Sequence, residues 1–167
     1  MNNYMKLEIA ARGENEGFAR SAVAAFALPL NPSLSELSDI KTAVSEAVTN
    51  CVVHAYKNGA VGKILIECQT QSDIPLRAHK GDRGDKCGVI HITVTDYGCG
   101  IEDIERATSP FFTTLENEER SGMGFTIMQT FMSEFSVTSE RGKGTKVRMT
   151  KKIGVVENAE IKERVDA

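Results

Sequence analysis

Glu46, Asn50 and His54 recur at four-residue intervals in the stretch Ser45-Glu46-Ala47-Val48-Thr49-Asn50-Cys51-Val52-Val53-His54. On a helix that spacing projects all three side chains from one face, between apolar neighbours. The neutral oxygen of Asn50 suits a hard cation such as Mg2+, which favours oxygen ligands and keeps several waters. Glu46, one turn away, can accept a proton from an attacking hydroxyl or water. A buried polar ladder bonded to neighbouring elements would carry the same pattern, so the helix alone defines no chemistry.

Asp96-Tyr97-Gly98-Cys99-Gly100 follows an apolar stretch that ends at Thr95. A carboxylate at a strand end can accept from an exocyclic amine such as that of adenine, and glycines let the backbone turn and approach a ligand closely. The same residues also form ordinary turns. Gly122-Met123-Gly124 opens a helical stretch directly after Arg120-Ser121. Such a start aims free N–H groups and the positive end of the helix dipole at an anion, or is simply a helix start with flexible glycines. Gly142-Lys143-Gly144-Thr145 reads as a hairpin turn from which Thr145 can reach a ligand. Phe111 and Phe112, in Ser109-Pro110-Phe111-Phe112-Thr113-Thr114, suit a movable cover over a ligand or an apolar cluster under a long loop. Neither a P-loop nor a Rossmann fingerprint occurs. Each feature is weak alone; their order along the chain carries the weight.

These groups need elements to hold them. Alternation over residues 5–10 predicts a strand, with Leu7 and Ile9 on one face. Residues 14–28 read as an amphipathic helix with Phe18, Ala22, Val23 and Phe26 as its buried stripe, stopped by Pro29 and Pro32. Ser33 or Ser35 can cap a longer helix over 36–56, with Leu37, Ile40, Val44, Val48 and Val52 apolar; Asn58-Gly59 ends it. Strands are expected over 63–70 and 89–95, joined by a long charged connection over 71–88 that reads as a mobile, solvated loop. A mostly loop-like stretch over 96–124, a helix over 124–132 and strands over 135–139 and 145–152 complete one α+β domain, residues 1–152. Residues 153–167 read as a charged, fraying tail.

At 167 residues the chain suits a single domain. A net charge of −3 argues against a general nucleic-acid binder. No apolar run approaches the ~18 residues of a membrane span, and the start lacks a signal-peptide core, so a cytoplasmic location is expected. The four cysteines (Cys51, Cys68, Cys87 and Cys99) form no C-x-x-C pair and read as reduced structural thiols.

The ordered set resembles the ATP-binding domain shared by sensor histidine kinases, type II DNA topoisomerases, heat-shock-90 chaperones and MutL mismatch-repair proteins. Glu46 and Asn50 match its N-box, Asp96-Tyr97-Gly98-Cys99-Gly100 its first glycine box and Gly122-Met123-Gly124 its second. Within that superfamily, Phe18-Ala19-Arg20, the run IKTAVSEAVTN over 40–50, Phe112-Thr113-Thr114 and the run ERSGMGFTIM over 119–128 are similar to the anti-sigma-F factors of endospore-forming bacteria. The resemblance covers roughly residues 5–152. It implies a two-layer α/β sandwich in which a mixed sheet is covered by helices on one face. It further implies a homodimeric serine-protein kinase that uses ATP and Mg2+ to phosphorylate an anti-anti-sigma protein, and that holds a sporulation sigma factor inactive.

Carried over residue by residue, the resemblance makes Glu46 the general base and Asn50 the Mg2+ ligand, with Asp96 reading adenine. Gly98, Gly100, Gly122 and Gly124 would line the cleft, with Thr145 near the adenine and Thr113 and Thr114 in the lid. Arg120 would reach the terminal phosphate, and Arg20 would face a partner. The chain departs from the pattern at Leu115, where a lysine is usual, and in the length of the 71–88 connection. General-stress anti-sigma kinases are the neighbouring alternative, but the full D-x-G-x-G followed by Phe112-Thr113-Thr114 favours the sporulation branch. A sensor histidine kinase would need an acceptor helix ahead of this domain, and His54 is expected to be structural. A remodelling ATPase would need further domains, and the intact Glu46 and Asn50 argue against a catalytically silent binding module.

Overall fold

The computed structural model describes residues 2–56, 62–75, 86–109 and 123–154, with backbone only at 73–75 and 86–87. Five strands form one sheet in the order β1-β2-β3-β5-β4: β1 (Asn2–Ala10), β2 (Lys63–Pro75), β3 (Lys86–Asp96), β4 (Glu134–Glu140) and β5 (Gly144–Ile153). Every neighbouring pair is antiparallel, where a mixed sheet was expected. The helices are α1 (Glu16–Ala27), α2 (Leu34–Asn50), the short α3 (Ile104–Ala107) and α4 (Gly124–Phe131). β2 and β3 run further into the 71–88 connection than expected, with a register shift between Gln71 and Ile74. The final strand ends at Ile153, one residue beyond the expected domain boundary.

Alternation builds the core directly. Leu7, Ile66, Val94, Val147 and Val137 stand side by side across all five strands, and so do Met5, Cys68, Ile92, Met149 and Phe135. These rows face α1, α2 and α4, whereas the parallel row Lys6, Glu67, Thr93, Arg148 and Ser136 is polar, so one face is covered and the other meets solvent. The two-layer arrangement follows. Asp96 continues the inner side of β3 after Ile92 and Val94. The last helix-facing position of a buried strand is therefore a carboxylate.

α1 buries part of the expected stripe, Val23 fully and Phe26 partly, but the centre of its inward face is shifted toward the alanines. Ala19, Val23, Ala24 and Ala27 are buried, whereas Phe18 is 57% exposed and Ala22 and Phe26 are half-buried. α1 packs along α2, which offers Ala43, Val44 and Ala47 in its buried stripe. Small residues let the two backbones approach closely, and periodicity weighted by side-chain size places Phe18 inside and passes over the alanines.

α2 starts two residues before the expected position. Ser33 Oγ accepts from the Glu36 N–H at 3.2 Å while Glu36 Oε2 accepts from the Ser33 N–H at 2.7 Å, a reciprocal cap. Glu36 Oε1 also accepts from the Gly154 N–H at 2.8 Å, tying the end of β5 to the start of α2. Both bonds help hold the Glu36 carboxyl below the usual carboxylate range, against the opposing effect of its partial burial. The Lys151 ammonium, mostly buried, donates to Asp39 Oδ2 at 2.9 Å and to the Phe131 carbonyl at 2.7 Å, fastening β5 to both α2 and α4. Ser33→Ala removes one half of the cap and is expected to cost about 1 kcal/mol. Thermal unfolding followed by circular dichroism should then show a midpoint lower by ~2–4 °C.

Candidate active site

After Asn50 the helix widens into a π-helical segment, Cys51–Ala55. Glu46 and Asn50 remain half-buried on α2, but His54 is exposed, because the wider turn breaks the α-helical phase that would align it with them. The expected three-residue face is thus a two-residue one. The end of this segment also receives the glycine box: the Cys99 N–H donates to the Ala55 carbonyl at 2.8 Å. A Cβ at Gly98 would lie 2.1 Å from that carbonyl oxygen, so only glycine fits there.

Asp96 is 4% exposed, and its Oδ1 accepts from the Gly98 N–H at 2.9 Å and the Thr145 N–H at 3.2 Å. Its Oδ2 lies 3.8 Å from Cys51 Sγ. Burial raises the carboxyl above the usual carboxylate value, and the three hydrogen-bond donors oppose that rise. The same burial, with the Asp96 charge beside it, pushes the Cys51 thiol up, so it stays protonated and donates. Cys51, Cys68 and Cys99 are unbridged, consistent with structural thiols, and burial pushes Cys68 up to about 12.

The β4–β5 hairpin closes the other side. Gly142 donates to the Cys99 carbonyl at 2.8 Å, and Gly144, at a φ of 100°, passes so close to Asp96 that a Cβ would meet its carbonyl oxygen at 2.1 Å. Ser139 Oγ accepts from the Ile101 N–H at 2.8 Å and shares a 2.9 Å bond with Thr145 Oγ1. Gly100 adopts a φ of 71° over the Glu140 carbonyl. A shallow hollow lined by Asp96, Tyr97, Ser139, Gly144 and Thr145 lies alongside. Asp96, Gly98, Gly100 and Thr145 are therefore brought together as expected. Ser139 and the Ala55 carbonyl complete the group without a local motif to announce them.

At the start of α4, Gly124 rests against α2. A Cβ there would lie 3.0 Å from Glu46 Oε2 and 3.3–3.4 Å from the two polar atoms of the Asn50 amide. The N-box pair and the second glycine box thus converge, and the first-turn N–H groups of α4 have no acceptor within the helix. Thr113, Thr114, Arg120 and Gly122 lie outside the described residues, as do Phe111, Phe112 and Leu115. Arg20 is exposed on α1 and donates to Glu16 Oε1 and Ser45 Oγ, each at 3.3 Å; Ser45 also bonds Glu16. It stands apart from the Asp96 group, on the α1–α2 surface.

This combination of a two-layer fold, an acid at a strand end, glycines clamped around it and an N-box pair against a helix start has close counterparts. The family model described as histidine kinase-like ATPase domain matches residues 9–151, and the chain belongs to that family. An anti-sigma F factor of Caldanaerobacter subterraneus subsp. tengcongensis is 54% identical over 92% of this chain and 96% of its own length. Those of Thermoanaerobacter sp. and Clostridium perfringens are 53% and 47% identical, over 91% and 92% of this chain and 95% and 99% of their own lengths. Within the ATPase family, the chain is a member of the anti-sigma F factor group. A crystal structure of the RsbU and RsbW domains of a Mycobacterium tuberculosis protein shares the fold, with a TM-score of 0.57 at 19% identity over 89% of this chain and 32% of that one.

The raised Asp96 carboxyl has a consequence for stability. A native carboxyl that holds its proton more tightly than the unfolded chain stabilises at low pH and loses that contribution as pH rises through its raised value. Asp96→Asn has nothing to lose there. Its unfolding midpoint relative to the wild type is expected to climb as pH rises above about 4 and then level off. Thermal unfolding of both ligand-free proteins across pH checks this; a constant difference would contradict the burial effect.

Proposed function

We propose that this protein is an ATP-dependent protein-serine kinase and anti-sigma factor. It holds a sigma factor of the sporulation class inactive and phosphorylates a serine of that factor's anti-anti-sigma antagonist. The observation that carries this reading is the meeting of Glu46, Asn50 and Gly124 at one end of α2, with the buried Asp96 at the far side of the widened turn. That arrangement sets an acceptor for a base amine beside Cys51 and gathers a carboxylate, an amide and the first-turn N–H groups of α4 around Asn50.

Mg-ATP, when bound, supplies the γ-phosphoryl group and the cation that neutralises its charge. Among the described residues no cluster of three His, Cys, Asp or Glu side chains could hold a metal by itself. That suits Mg2+, which is commonly held by few protein ligands together with phosphate oxygens, and Asn50 would be its protein ligand. Asp96 accepts the exocyclic amine of adenine through Oδ2, because Oδ1 is already taken by the Gly98 and Thr145 N–H groups. Gly98 and Gly100 shape the wall beside the base, and Thr145 stands next to it. In the same reading Gly122 and Gly124 would present N–H groups to the phosphates, with Arg120 and the lid threonines, Thr113 and Thr114, assigned to cover them; of these only Gly124 lies among the described residues. Glu46 takes the proton of the attacking serine hydroxyl.

Arg20, on the exposed side of α1, faces the protein partner. In this reading the kinase works as a homodimer in the cytoplasm. The kinase and sigma-binding domain extends to Ile153, the buried last residue of β5, one residue past the expected boundary, and the tail follows.

Incubation with labelled ATP, Mg2+ and the anti-anti-sigma protein should label a partner serine. Glu46→Gln is expected to bind ATP as the wild type does and to lose at least ~100-fold in transfer rate; transfer at the wild-type rate would remove the base assignment. Arg20→Glu should weaken capture of the sigma factor or of the anti-anti-sigma protein in a pull-down while leaving ATP affinity unchanged. Unaltered capture of both would refute the partner-facing role.

A further inference from the structure

Cys51 is 5% exposed, directly follows Asn50 and opens the π-helical segment. Its own N–H donates back to the Ala47 and Val48 carbonyls, which fixes where the side chain can go. The thiol meets Asp96 Oδ2 at 3.8 Å, within reach of a sulfur hydrogen bond. The two oxygens of Asp96 are thus treated differently: among the described residues, Oδ1 receives two backbone N–H groups and Oδ2 receives the thiol alone. A carboxylate offers about four lone-pair directions, and the protein fills three of them. The remaining direction, on Oδ2, is left for a ligand.

We infer that Cys51 is a positioning residue for base recognition: its S–H, donated to Asp96 Oδ2, sets the carboxylate so that its last open acceptor direction meets the exocyclic amine of the bound purine. The torsion about an aspartate's carboxyl is broad, and bonds to Oδ1 alone leave Oδ2 free to swing. A second donor on the other oxygen removes that freedom. A thiol is suited to the task because it is small enough for the crowded end of α2 and is a weak donor that is cheap to bury. It also keeps its proton, because the surrounding burial and the Asp96 charge oppose ionisation. Asn50 and Cys51 are consecutive, so one turn of α2 serves the cation end of the cleft with one residue and the base end with the next.

This inference rests on the adenine-reading role proposed for Asp96, and the test separates the two. Affinities of the full chain for ATP and for purine riboside triphosphate, which lacks the 6-amino group, are measured in Mg2+ by titration calorimetry. Wild type should prefer ATP. Cys51→Ala should cut that preference roughly three- to tenfold, as loss of one hydrogen-bonded contact does, while binding of the analogue changes less than about twofold. Cys51→Ser, which keeps a shorter donor, should fall between wild type and Cys51→Ala. An undiminished ATP preference in Cys51→Ala, or an equal loss for both nucleotides, overturns the inference and leaves the role of Asp96 standing. A wild type with no preference overturns the adenine-reading role itself, and the inference with it.

Discussion

Asp96 occupies the last inward position of a central strand, where a carboxylate is shut away from water. Taking such a group into the interior costs several kcal/mol unless donors replace its hydration. Much of the local architecture is the supply of those donors. The Gly98 N–H comes from the turn that follows β3, the Thr145 N–H from the start of β5, and the Cys51 thiol from the end of α2. Three elements distant in sequence are thus held to one side chain. The close backbone approaches depend on missing Cβ atoms at Gly98 and Gly144.

The scaffold behind this point is built for rigidity. Rows of Ile, Val, Leu and Met cross the whole sheet and pack under α1, α2 and α4. The alanines of α1 and α2 bring those helices into close contact, so α2 has little room to shift. Lys151, bonded to Asp39 and the Phe131 carbonyl, ties the strand that carries Thr145 to the helices that carry Glu46 and Gly124. The site residues on α2, β3 and β5 are therefore displayed from mutually braced elements, which suits chemistry that depends on positioning.

Much of this was legible in the residues themselves. Alternation along β3 gives Asp96 its inward direction, Ser33, one of the two serines able to cap α2, is the one that does, and the four-residue step from Glu46 to Asn50 keeps both on one face. Other features had no local sign. The strand order and the pairings of β1 with β2 and of β3 with β5 arise from contacts far apart in sequence, whereas the β4–β5 hairpin has its turn in residues 142–144. Ser139 reaches the glycine box through a bond spanning 38 residues, and nothing in the run 136–139 marks it. Phe18 misled the reading of α1, because hydrophobic size outweighed the small residues that make the contact. The π-helical segment was hidden as well, since Cys51–Ala55 reads as ordinary helix by composition and only its hydrogen bonding betrays it.

That widened segment has an evolutionary side. A π turn accommodates one more residue than an α turn would in the same rise. The stretch from Asn50 to Tyr56 must deliver the Cys51 thiol to Asp96, the Ala55 carbonyl to Cys99 and the Tyr56 hydroxyl to the Tyr97 N–H, the last at 3.0 Å. The Val53 side chain takes no part in these three contacts and lies outside the core that Val52 packs against, so replacement there is free of both constraints. Chain length is not free in this way. Gaining or losing one residue between Asn50 and Tyr56 would put all three contacts out of register together, so variation here is confined to replacement in place.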